Sequence, residues 1–295
     1  MMASMDSSAL NPTRIGARTF RWGTRTFLMG IVNVTPDSFS GDGLAARPDP
    51  VEAAVALVLR MADEGADLLD VGGESTRPGH VPVTEAEEIH RVVPVIAGIR
   101  AALPDLPISI DTTKPAVAEA ALAAGADLLN DVWGTADTGL SGLAAANGVP
   151  IVLMHNRAES RYRSVVGEVI ADLQRAVDRA LAAGVPWEHV IVDPGIGFGK
   201  TPDHNLALLR DLAALRAIGR PVLLGTSRKS TLGRLLDLPP GERLEATLAT
   251  TALGVAAGIH IVRVHDVREN MRTARIADAV VRNWRPDGWP QGGAS

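Results

Sequence analysis

The sequence contains no cysteine and few aromatic residues. Among its 295 residues there are 0 cysteines, and phenylalanine, tryptophan and tyrosine together make up 3%. The absence of cysteine excludes disulfides, thiolate metal sites and a cysteine nucleophile, and it suits a reducing compartment. The low aromatic content argues against an extended base-stacking surface for single-stranded nucleic acid.

An excess of positive charge and a long hydrophobic run are missing as well. The formal net charge is −5, so we expect no nucleic-acid partner, and any anionic ligand must be held by a few local cations. The segment 1–16 has neither the basic start nor the apolar stretch of a signal peptide. The longest uncharged run, between Glu245 and Arg263, falls short of a membrane span. We therefore expect a cytoplasmic protein with no membrane contact.

The composition that is present is that of a globular protein, with 46% hydrophobic and 21% charged residues, and no linker divides the chain. Short β-like runs alternate with Ala- and Leu-rich helical stretches, and GADLLD (65–70) is echoed by GADLLN (125–130). About eight such units fit an α/β fold, a single (β/α)8 TIM barrel of roughly 250 residues. We predict a barrel domain over 13–284 with a short N-terminal β-hairpin, and flexible segments at 1–12 and 285–295. A doubly wound open sheet is the alternative, but it would need fewer strands.

Polar residues stand where the β-like runs stop, and the carboxyl ends of the strands of a TIM barrel meet at one face. Polar loops could explain any single case, but a polar residue after every run favours a ligand site. These strand-end residues are Asn33, Asp70, Asp111, Asn130, His155, Asn156, Asp193, Ser227, Lys229, Arg263 and His265.

The chemistry of these side chains describes a ligand. Acceptor oxygens that suit a ligand rich in N–H groups come from Asp111, Asn130 and Asp193. Donors for carbonyl or phosphate oxygens come from Lys229, Arg263 and His265. Asn33 offers an amide oxygen of the kind that partly ligates Mg²⁺ riding on a phosphate. Together they suit a flat heterocycle with a guanidine-like edge and a carbonyl, attached to phosphate, such as a pterin diphosphate.

Simpler interpretations of three of these positions stay open. Asp193 precedes Pro-Gly and could form a turn, and Asp111 precedes Thr-Thr and could cap the next helix. Met154 could equally be a core residue or a ligand contact.

The segment GIGFGKT (195–201) resembles a phosphate-binding P-loop, but its spacing excludes one. The P-loop pattern needs a glycine five positions before Gly199, and that position is Pro194. We interpret the glycines as shaping a loop that lets Phe198 or the backbone approach a ligand.

Seven motifs, spread over nearly the whole chain, resemble those of the dihydropteroate synthase family and follow the family's order. They are MGIVNVTPDSFSGDG (29–43), DVGGESTRPG (70–79), ISIDTTKPAVAEAAL (108–122), GADLLNDV (125–132), VDPGIGFGKTPDHN (192–205), GTSRKSTLG (225–233) and IVRVHDV (261–267).

The resemblance implies a role for each matching residue. The catalytic residues it implies are Asp37, Asp111 and Lys229. The pterin-binding residues it implies are Asp111, Asn130, Met154, Asp193, Phe198, Lys229 and Arg263. The diphosphate-binding residues it implies are Asn33, Thr76, Arg263 and His265, with Asn33 also as metal ligand. The p-aminobenzoate-binding residues it implies are Phe39, Thr76, Arg77, Pro78 and Ser227.

The resemblance further implies a transferase of folate biosynthesis that uses Mg²⁺ and forms a homodimer. Its expected substrates are p-aminobenzoate and 6-hydroxymethyl-7,8-dihydropterin diphosphate, and its expected products are 7,8-dihydropteroate and diphosphate. One alternative is a pterin-binding methyltransferase domain, which should lack the STRPG and RVHD segments present here. The other is a non-catalytic pterin-binding paralogue, against which Lys229, Arg263 and His265 argue.

Overall fold

The computed structural model describes residues 10–35, 43–44, 49–75 and 82–290. Strands in these ranges are β1 (Thr13–Ile15), β2 (Arg18–Phe20), β3 (Phe27–Asn33), β4 (Leu68–Gly72), β5 (Ile108–Asp111), β6 (Leu128–Asp131), β7 (Ile151–Met154), β8 (Val190–Asp193), β9 (Leu223–Leu224) and β10 (Ile261–Val264). Helices are α1 (Pro50–Asp63), α2 (Glu85–Ala102), α3 (Pro115–Ala123), α4 (Leu140–Asn147), α5 (Val165–Ala182), α6 (Pro202–Arg210), α7 (Ser230–Leu236), α8 (Leu244–Ala257) and α9 (Val267–Val281).

Eight of the described strands form one parallel sheet, in the order β8-β7-β6-β5-β4-β3-β10-β9. The two ends of this sheet meet at a parallel bridge between Val192 and Val222, where the Val192 N–H donates to the Pro221 carbonyl at 2.9 Å. The sheet is therefore a nearly closed barrel with helices between its strands. The separate pair β1-β2 is antiparallel. The predicted TIM barrel and N-terminal hairpin are both confirmed.

The two GADLL segments have the same structural role, which is to end a helix and begin a strand. Gly65 and Gly125 follow α1 and α3 with φ of +103° and +113°, a left-handed conformation that glycine adopts without steric cost. The aspartates two residues later, Asp67 and Asp127, each accept a hydrogen bond at 2.9 Å from a backbone N–H of the preceding strand. Each glycine ends a helix, and each aspartate sets the level at which the next strand joins the sheet.

The N-terminal hairpin closes the bottom of the barrel. The rings of Phe20, Trp22 and Phe27 are buried and lie within 5.7 Å of one another, centroid to centroid. The indole N–H of Trp22 donates to the Thr13 hydroxyl at 3.0 Å, so its polar atom is satisfied although the ring is buried. Above these rings lies an apolar interior layer formed by Met29, Leu68, Leu128, Val152, Ile191, Leu223 and Ile261.

Strand alternation places a second, more polar layer above the apolar one. Successive side chains of a strand point to opposite faces, so a residue two positions after an inward-facing one also faces inward. Asp70 stands two positions after Leu68, and Asn130 stands two positions after Leu128. The same two-residue spacing from other members of the apolar layer gives Met154, Asp193, Gly225 and Arg263. The polar layer lies at the carboxyl ends of the strands, where TIM barrels carry their active sites.

Within the described residues, no helix is long and apolar enough to cross a membrane. The cytoplasmic location stays a prediction. So do the domain limits 13–284 and the flexible termini, since residues 1–9 and 291–295 lie outside the described part of the chain.

The closing of the barrel bottom by the hairpin generates a stability prediction. Phe20 is 2% exposed, and replacing a buried phenylalanine by alanine removes its burial and leaves a cavity. We expect Phe20→Ala to lower the free energy of unfolding by about 3–5 kcal/mol, measured as a lower midpoint in thermal or urea unfolding. Trp289→Ala is the control because Trp289 is 54% exposed. Equal midpoints for Phe20→Ala and the parent would show that the hairpin does not stabilise the barrel.

Candidate active site

A pocket opens at the carboxyl ends of the strands. It encloses about 320 Å³ of empty space, including the part open to solvent. Its lining combines two carboxylates, an amide and two cations with apolar side chains, as small-molecule sites do. The lining residues are Asp111, Asn130, Val132, Met154, Asp193, Gly195, Ile196, Phe198, Gly225, Lys229 and Arg263.

The pocket floor is organised by Arg263 of β10. Its Nε donates to Asp70 Oδ2 at 2.5 Å, and its Nη2 donates to Asp111 Oδ2 at 2.8 Å. Asn130 donates from Nδ2 to the same Asp70 oxygen at 3.0 Å. Burial on its own would lower the pKa of Arg263, but Asp70 and Asp111 outweigh burial and raise it. The guanidinium therefore stays charged and connects strands β4, β5 and β10 across the barrel interior.

Asp111 combines burial with an available acceptor atom. Burial raises the pKa of its carboxyl to about 7, with Asp70 and Glu88 acting in the same direction and Arg263 and Lys229 opposing. Its Oδ1 is buried and has no hydrogen-bond partner among the described residues. A buried acceptor without a partner is costly, so a ligand N–H placed at this atom would gain a strong interaction. The alternative that Asp111 caps the next helix does not hold, because the N-cap of α3 is Lys114.

Asp193, at the end of β8, is a second buried carboxyl that faces the pocket. Burial raises its pKa to about 6, while the Gly195 N–H, Lys229 and Arg263 lower it. The Gly195 N–H donates to Asp193 Oδ1 at 2.7 Å. Asp193 is therefore both a turn-forming residue and part of the pocket lining, so the two interpretations of this position are compatible.

Lys229 and Phe198 form another wall of the pocket. Lys229 immediately precedes α7, and its Nζ lies 4.0 Å from the centroid of the Phe198 ring, within cation–π distance. Phe198 belongs to a loop in which Gly195, Gly197 and Gly199 have φ of +65°, +85° and +55°. A Cβ at Gly195 would collide with the carbonyl oxygen of His155, so this close approach requires glycine.

The loops after β9 and β10 are joined by two contacts. The Ser227 hydroxyl and the Nδ1 atom of His265 are 2.8 Å apart. Between Ser227 and Lys229, Arg228 has φ of +56°, an uncommon conformation for a residue other than glycine. Arg228 pairs with Asp266 at 2.6 Å. These contacts hold Lys229 and His265 in fixed relation to each other.

Asn33 ends β3, next to β10 in the sheet, and is partly exposed. Its amide oxygen could serve as one neutral metal ligand. The described residues contain no group of three or more His, Asp or Glu side chains that could hold a metal ion. Such a donor set suits Mg²⁺ that keeps waters and arrives on phosphate oxygens, since Mg²⁺ is commonly bound in that way.

The structure brings together all seven residues that the sequence assigns to pterin binding. These residues line the pocket: Asp111, Asn130, Met154, Asp193, Phe198, Lys229 and Arg263. Asn33, Ser227 and His265 lie at the same end of the barrel but outside that lining. The predicted site residues Asp37, Phe39, Thr76, Arg77 and Pro78 lie outside the described residues.

Sequence reasoning gave no role in the site to some of its members. Asp70 is a strand-end residue, but its contact with Arg263 joins positions 193 residues apart, which no local pattern reveals. Val132, Ile196 and Gly225 also line the pocket. The period-two alternation could have found Gly225, because it stands two positions after the inward-facing Leu223.

The comparisons with known proteins agree with this geometry. The pterin binding enzyme family matches residues 29–265. The chain belongs to this family of pterin-binding TIM-barrel enzymes.

Its relatives within the family are dihydropteroate synthases. That of Clostridium beijerinckii is 48% identical over 271 residues, which cover 91% of this chain and 99% of the relative. The Clostridium difficile dihydropteroate synthase, solved in the presence of pteroic acid, superposes with a TM-score of 0.85 at 44% identity, covering 89% of this chain and 99% of that one. The Xanthomonas albilineans enzyme, solved with 4-aminobenzoic acid, gives a TM-score of 0.84 at 42% identity, covering 92% and 98%. The resemblance seen in the motifs is confirmed.

The raised pKa of Asp193 predicts a pH-dependent stability difference. An aspartate in an unfolded chain has a pKa near 3.9, whereas the folded value is about 6. Between these values the folded state binds a proton that the unfolded state releases, so this group's contribution to stability is lost as pH rises through about 6. Asp193→Asn keeps the acceptor for Gly195 and removes the titration.

We therefore expect the unfolding midpoint of Asp193→Asn, relative to the parent, to increase as pH rises from about 4.5 to 7. Each unit of pKa difference corresponds to about 1.4 kcal/mol. Thermal unfolding at a series of pH values measures the difference. A difference that stays constant across the series would mean that Asp193 titrates as it does in the unfolded chain.

Proposed function

We propose that this chain is a transferase that condenses p-aminobenzoate with 6-hydroxymethyl-7,8-dihydropterin diphosphate, giving 7,8-dihydropteroate and diphosphate in folate biosynthesis. The observation that carries the proposal is a pocket whose lining combines the acceptor oxygens of Asp111, Asn130 and Asp193 with the ammonium of Lys229. A pterin needs this combination, because its guanidine-like edge carries N–H donors and its carbonyl accepts. The identity to dihydropteroate synthases over nearly the whole chain supports the same reaction.

Each pocket residue has a proposed role in pterin binding. Asp193 accepts from the 2-amino group and N3, and Asn130 meets N1 and the amino group. Lys229 donates to O4 and N5. Met154 and Phe198 contact the ring, and Arg263 lies across its face. The buried carboxyls add specificity, because a ligand without the matching N–H groups would leave an acceptor atom such as Asp111 Oδ1 buried without a partner.

The diphosphate is proposed to bind Asn33, Arg263 and His265, together with Thr76 from the segment after β4. Asn33 would hold Mg²⁺, and the ion would supply positive charge that makes the diphosphate a better leaving group. The Ser227–His265 contact at 2.8 Å orients the imidazole for this role. The p-aminobenzoate site is proposed to consist of Phe39, Thr76, Arg77, Pro78 and Ser227.

The reaction proposed needs no nucleophilic side chain. The bond between the pterin methylene and the diphosphate oxygen breaks, and its electron pair leaves with the diphosphate. The electron-rich ring stabilises the methylene cation, and the carboxylate of Asp111 beside the N8 hydrogen favours the positive charge. The amine lone pair of p-aminobenzoate then forms the C–N bond, and the proton that the amine loses passes to the released diphosphate or to water. Asp37 is proposed as a second stabilising carboxylate, and binding in the correct orientation supplies the rest.

The direct experiment is an assay of diphosphate release from the pterin diphosphate. We expect release to require Mg²⁺ and to continue over many turnovers only with p-aminobenzoate, with 7,8-dihydropteroate then formed in equal amount. A methyltransferase domain or a non-catalytic paralogue would bind the pterin without releasing diphosphate in response to p-aminobenzoate, and that outcome would contradict the proposal.

A homodimer is also proposed, formed through α8 and α9. Leu253 of α8 and Ile276 and Val280 of α9 are 61%, 71% and 76% exposed, although aliphatic side chains are usually buried. The two helices pack against each other, so a second copy could cover both. Isologous pairing of two identical surfaces is the commonest form of assembly.

Sedimentation velocity tests the dimer. We expect a dimer for the parent chain and a monomer for the double variant Ile276→Glu, Val280→Glu, because paired faces would then bring buried charges together. Leu59→Glu is the control, since Leu59 is 43% exposed and belongs to α1, not to α8 or α9. A monomeric parent at micromolar concentration would contradict this part of the proposal.

Lys229 provides the test of pterin recognition. Removing a hydrogen bond made by a charged group costs about 1.5–3 kcal/mol, so we expect Lys229→Ala to weaken pterin diphosphate binding about 10- to 100-fold without unfolding the protein. Calorimetry and steady-state kinetics measure the change. Arg60→Ala is the control, because the Arg60 side chain is 63% exposed on α1. Unchanged affinity in a folded Lys229→Ala variant would remove Lys229 from the site.

A further inference from the structure

The glycine loop 195–199 contacts two charged residues of the pocket lining, Asp193 and Lys229. At its start, the Gly195 N–H donates to the Asp193 carboxylate at 2.7 Å. Near its end, the Phe198 ring lies 4.0 Å from Lys229 Nζ. The loop contains three glycines with positive φ, and glycine loses more backbone entropy than any other residue when it is ordered. Something must therefore hold this loop if the two contacts are to persist.

Lys200 holds it. The residue directly follows the loop, and its ammonium turns back onto the loop's own backbone. Nζ donates to the Phe198 carbonyl at 2.9 Å and to the Gly195 carbonyl at 3.0 Å. These are the two residues whose backbone N–H and ring reach Asp193 and Lys229. Burial lowers the pKa of the Lys200 ammonium to about 7, with Asp193 and Asp172 opposing. In its charged form the hydrogen bonds it makes are about twice as strong as neutral ones.

Lys200 is itself held by a hydrogen-bonded chain of side chains, here called the relay, that runs through His155 to Asp172 on α5. His155, 0% exposed, lies with Nδ1 2.9 Å from Lys200 Nζ and Nε2 3.1 Å from Asp172 Oδ2. Burial, with the neighbouring Lys200 charge, lowers the pKa of His155 to about 4, so the imidazole is neutral at physiological pH. The neutral ring accepts from the ammonium at Nδ1 and donates to the carboxylate at Nε2. Arg157 completes the relay by donating to Asp172 Oδ2 at 2.6 Å.

We propose that Lys200, oriented by His155 and Asp172, is a positioning residue for the pterin half of the active site. It fixes the carbonyls of Gly195 and Phe198, and through them the Asp193 carboxylate and the wall formed by Phe198 and Lys229. This assignment rests on the proposed function for its substrate, the pterin diphosphate, but the clamp on the loop stands on contacts within the protein.

The position of Lys200 distinguishes it from a ligand-binding lysine. In a P-loop, which GIGFGKT superficially resembles, the lysine points at the phosphates. Here the Lys200 ammonium is directed at backbone carbonyls, and Lys200 is absent from the pocket lining, in which Lys229 is present. Loss of Lys200 should therefore act through the loop and not through a missing substrate contact.

The first test measures the loop without any substrate. We expect Lys200→Met, which keeps most of the aliphatic length, to raise amide hydrogen exchange at Gly195 and Phe198 about tenfold or more, as local opening becomes easier. Arg100→Met is the matched control. Arg100 also clamps backbone carbonyls, of Pro104 at 2.6 Å and Gly125 at 2.8 Å, but at the opposite end of the barrel. Equal exchange in the parent and in Lys200→Met would overturn the clamp.

The second test separates the two substrates. We expect Lys200→Met to weaken pterin diphosphate binding about 10- to 100-fold, as displaced supporting groups do, while the KM for p-aminobenzoate changes less than about twofold. Arg100→Met should leave both constants unchanged. An equal loss for both substrates would indicate a general structural role and contradict the assignment. If the parent chain releases no diphosphate, the proposed reaction fails, while the exchange result still decides the clamp.

A pair of variants at His155 keeps the proposal testable if Lys200→Met does not fold. The amide of His155→Gln can accept from Lys200 and donate to Asp172, as the neutral imidazole does, whereas His155→Leu can do neither. We expect normal loop exchange and pterin affinity for His155→Gln and increased exchange with weakened affinity for His155→Leu. The same behaviour in both variants would mean that the relay does not orient Lys200.

Discussion

The ion pairs of Arg263 with Asp70 and Asp111 are the interaction on which the site depends. Buried charges are tolerated only when they are paired and hydrogen-bonded, and here one guanidinium serves two carboxylates on neighbouring strands. Asp111 keeps a buried oxygen without a partner among the described residues. The protein therefore holds an acceptor ready for a ligand, and the cost of keeping it is reflected in the raised pKa of the carboxyl, about 7.

The barrel explains why these charges can lie where they do. The hairpin rings and the apolar layer close the lower interior, so the polar layer is dry on one side and open to the pocket on the other. Low local polarity strengthens hydrogen bonds made there. Lys200 then extends the same principle to the adjoining loop, because an internal cation replaces solvent as the partner of the loop carbonyls. The site is thus preorganised by contacts that do not touch the substrate.

The sequence predicts the strands, the barrel and most of the pocket, because parallel strands bring their carboxyl ends together wherever the chain runs between them. Asp111, Asn130 and Asp193 could be assigned for that reason. The contact of Arg263 with Asp70 could not, since it joins distant strands across the interior. Lys200 could not be assigned from the sequence either, because the spacing of GIGFGKT excludes a P-loop and indicates no other role for the lysine. Only the three-dimensional geometry shows the ammonium turning back onto the loop. His155, next to the inward-facing Met154, points instead to α5.

We expect the buried carboxyl of Asp111 to ionise fully when it accepts a pterin N–H. Calorimetric titration with pterin diphosphate at pH 6.5, in buffers of different ionisation enthalpy, measures the protons exchanged on binding. With a pKa of about 7 in the free protein, a fraction of the Asp111 carboxyls carries a proton at this pH. We expect the parent chain to release more protons than Asp111→Asn. Protons exchanged by the ligand itself are common to both proteins and cancel in the difference. Equal proton release by the two proteins would mean that Asp111 does not ionise when the pterin binds.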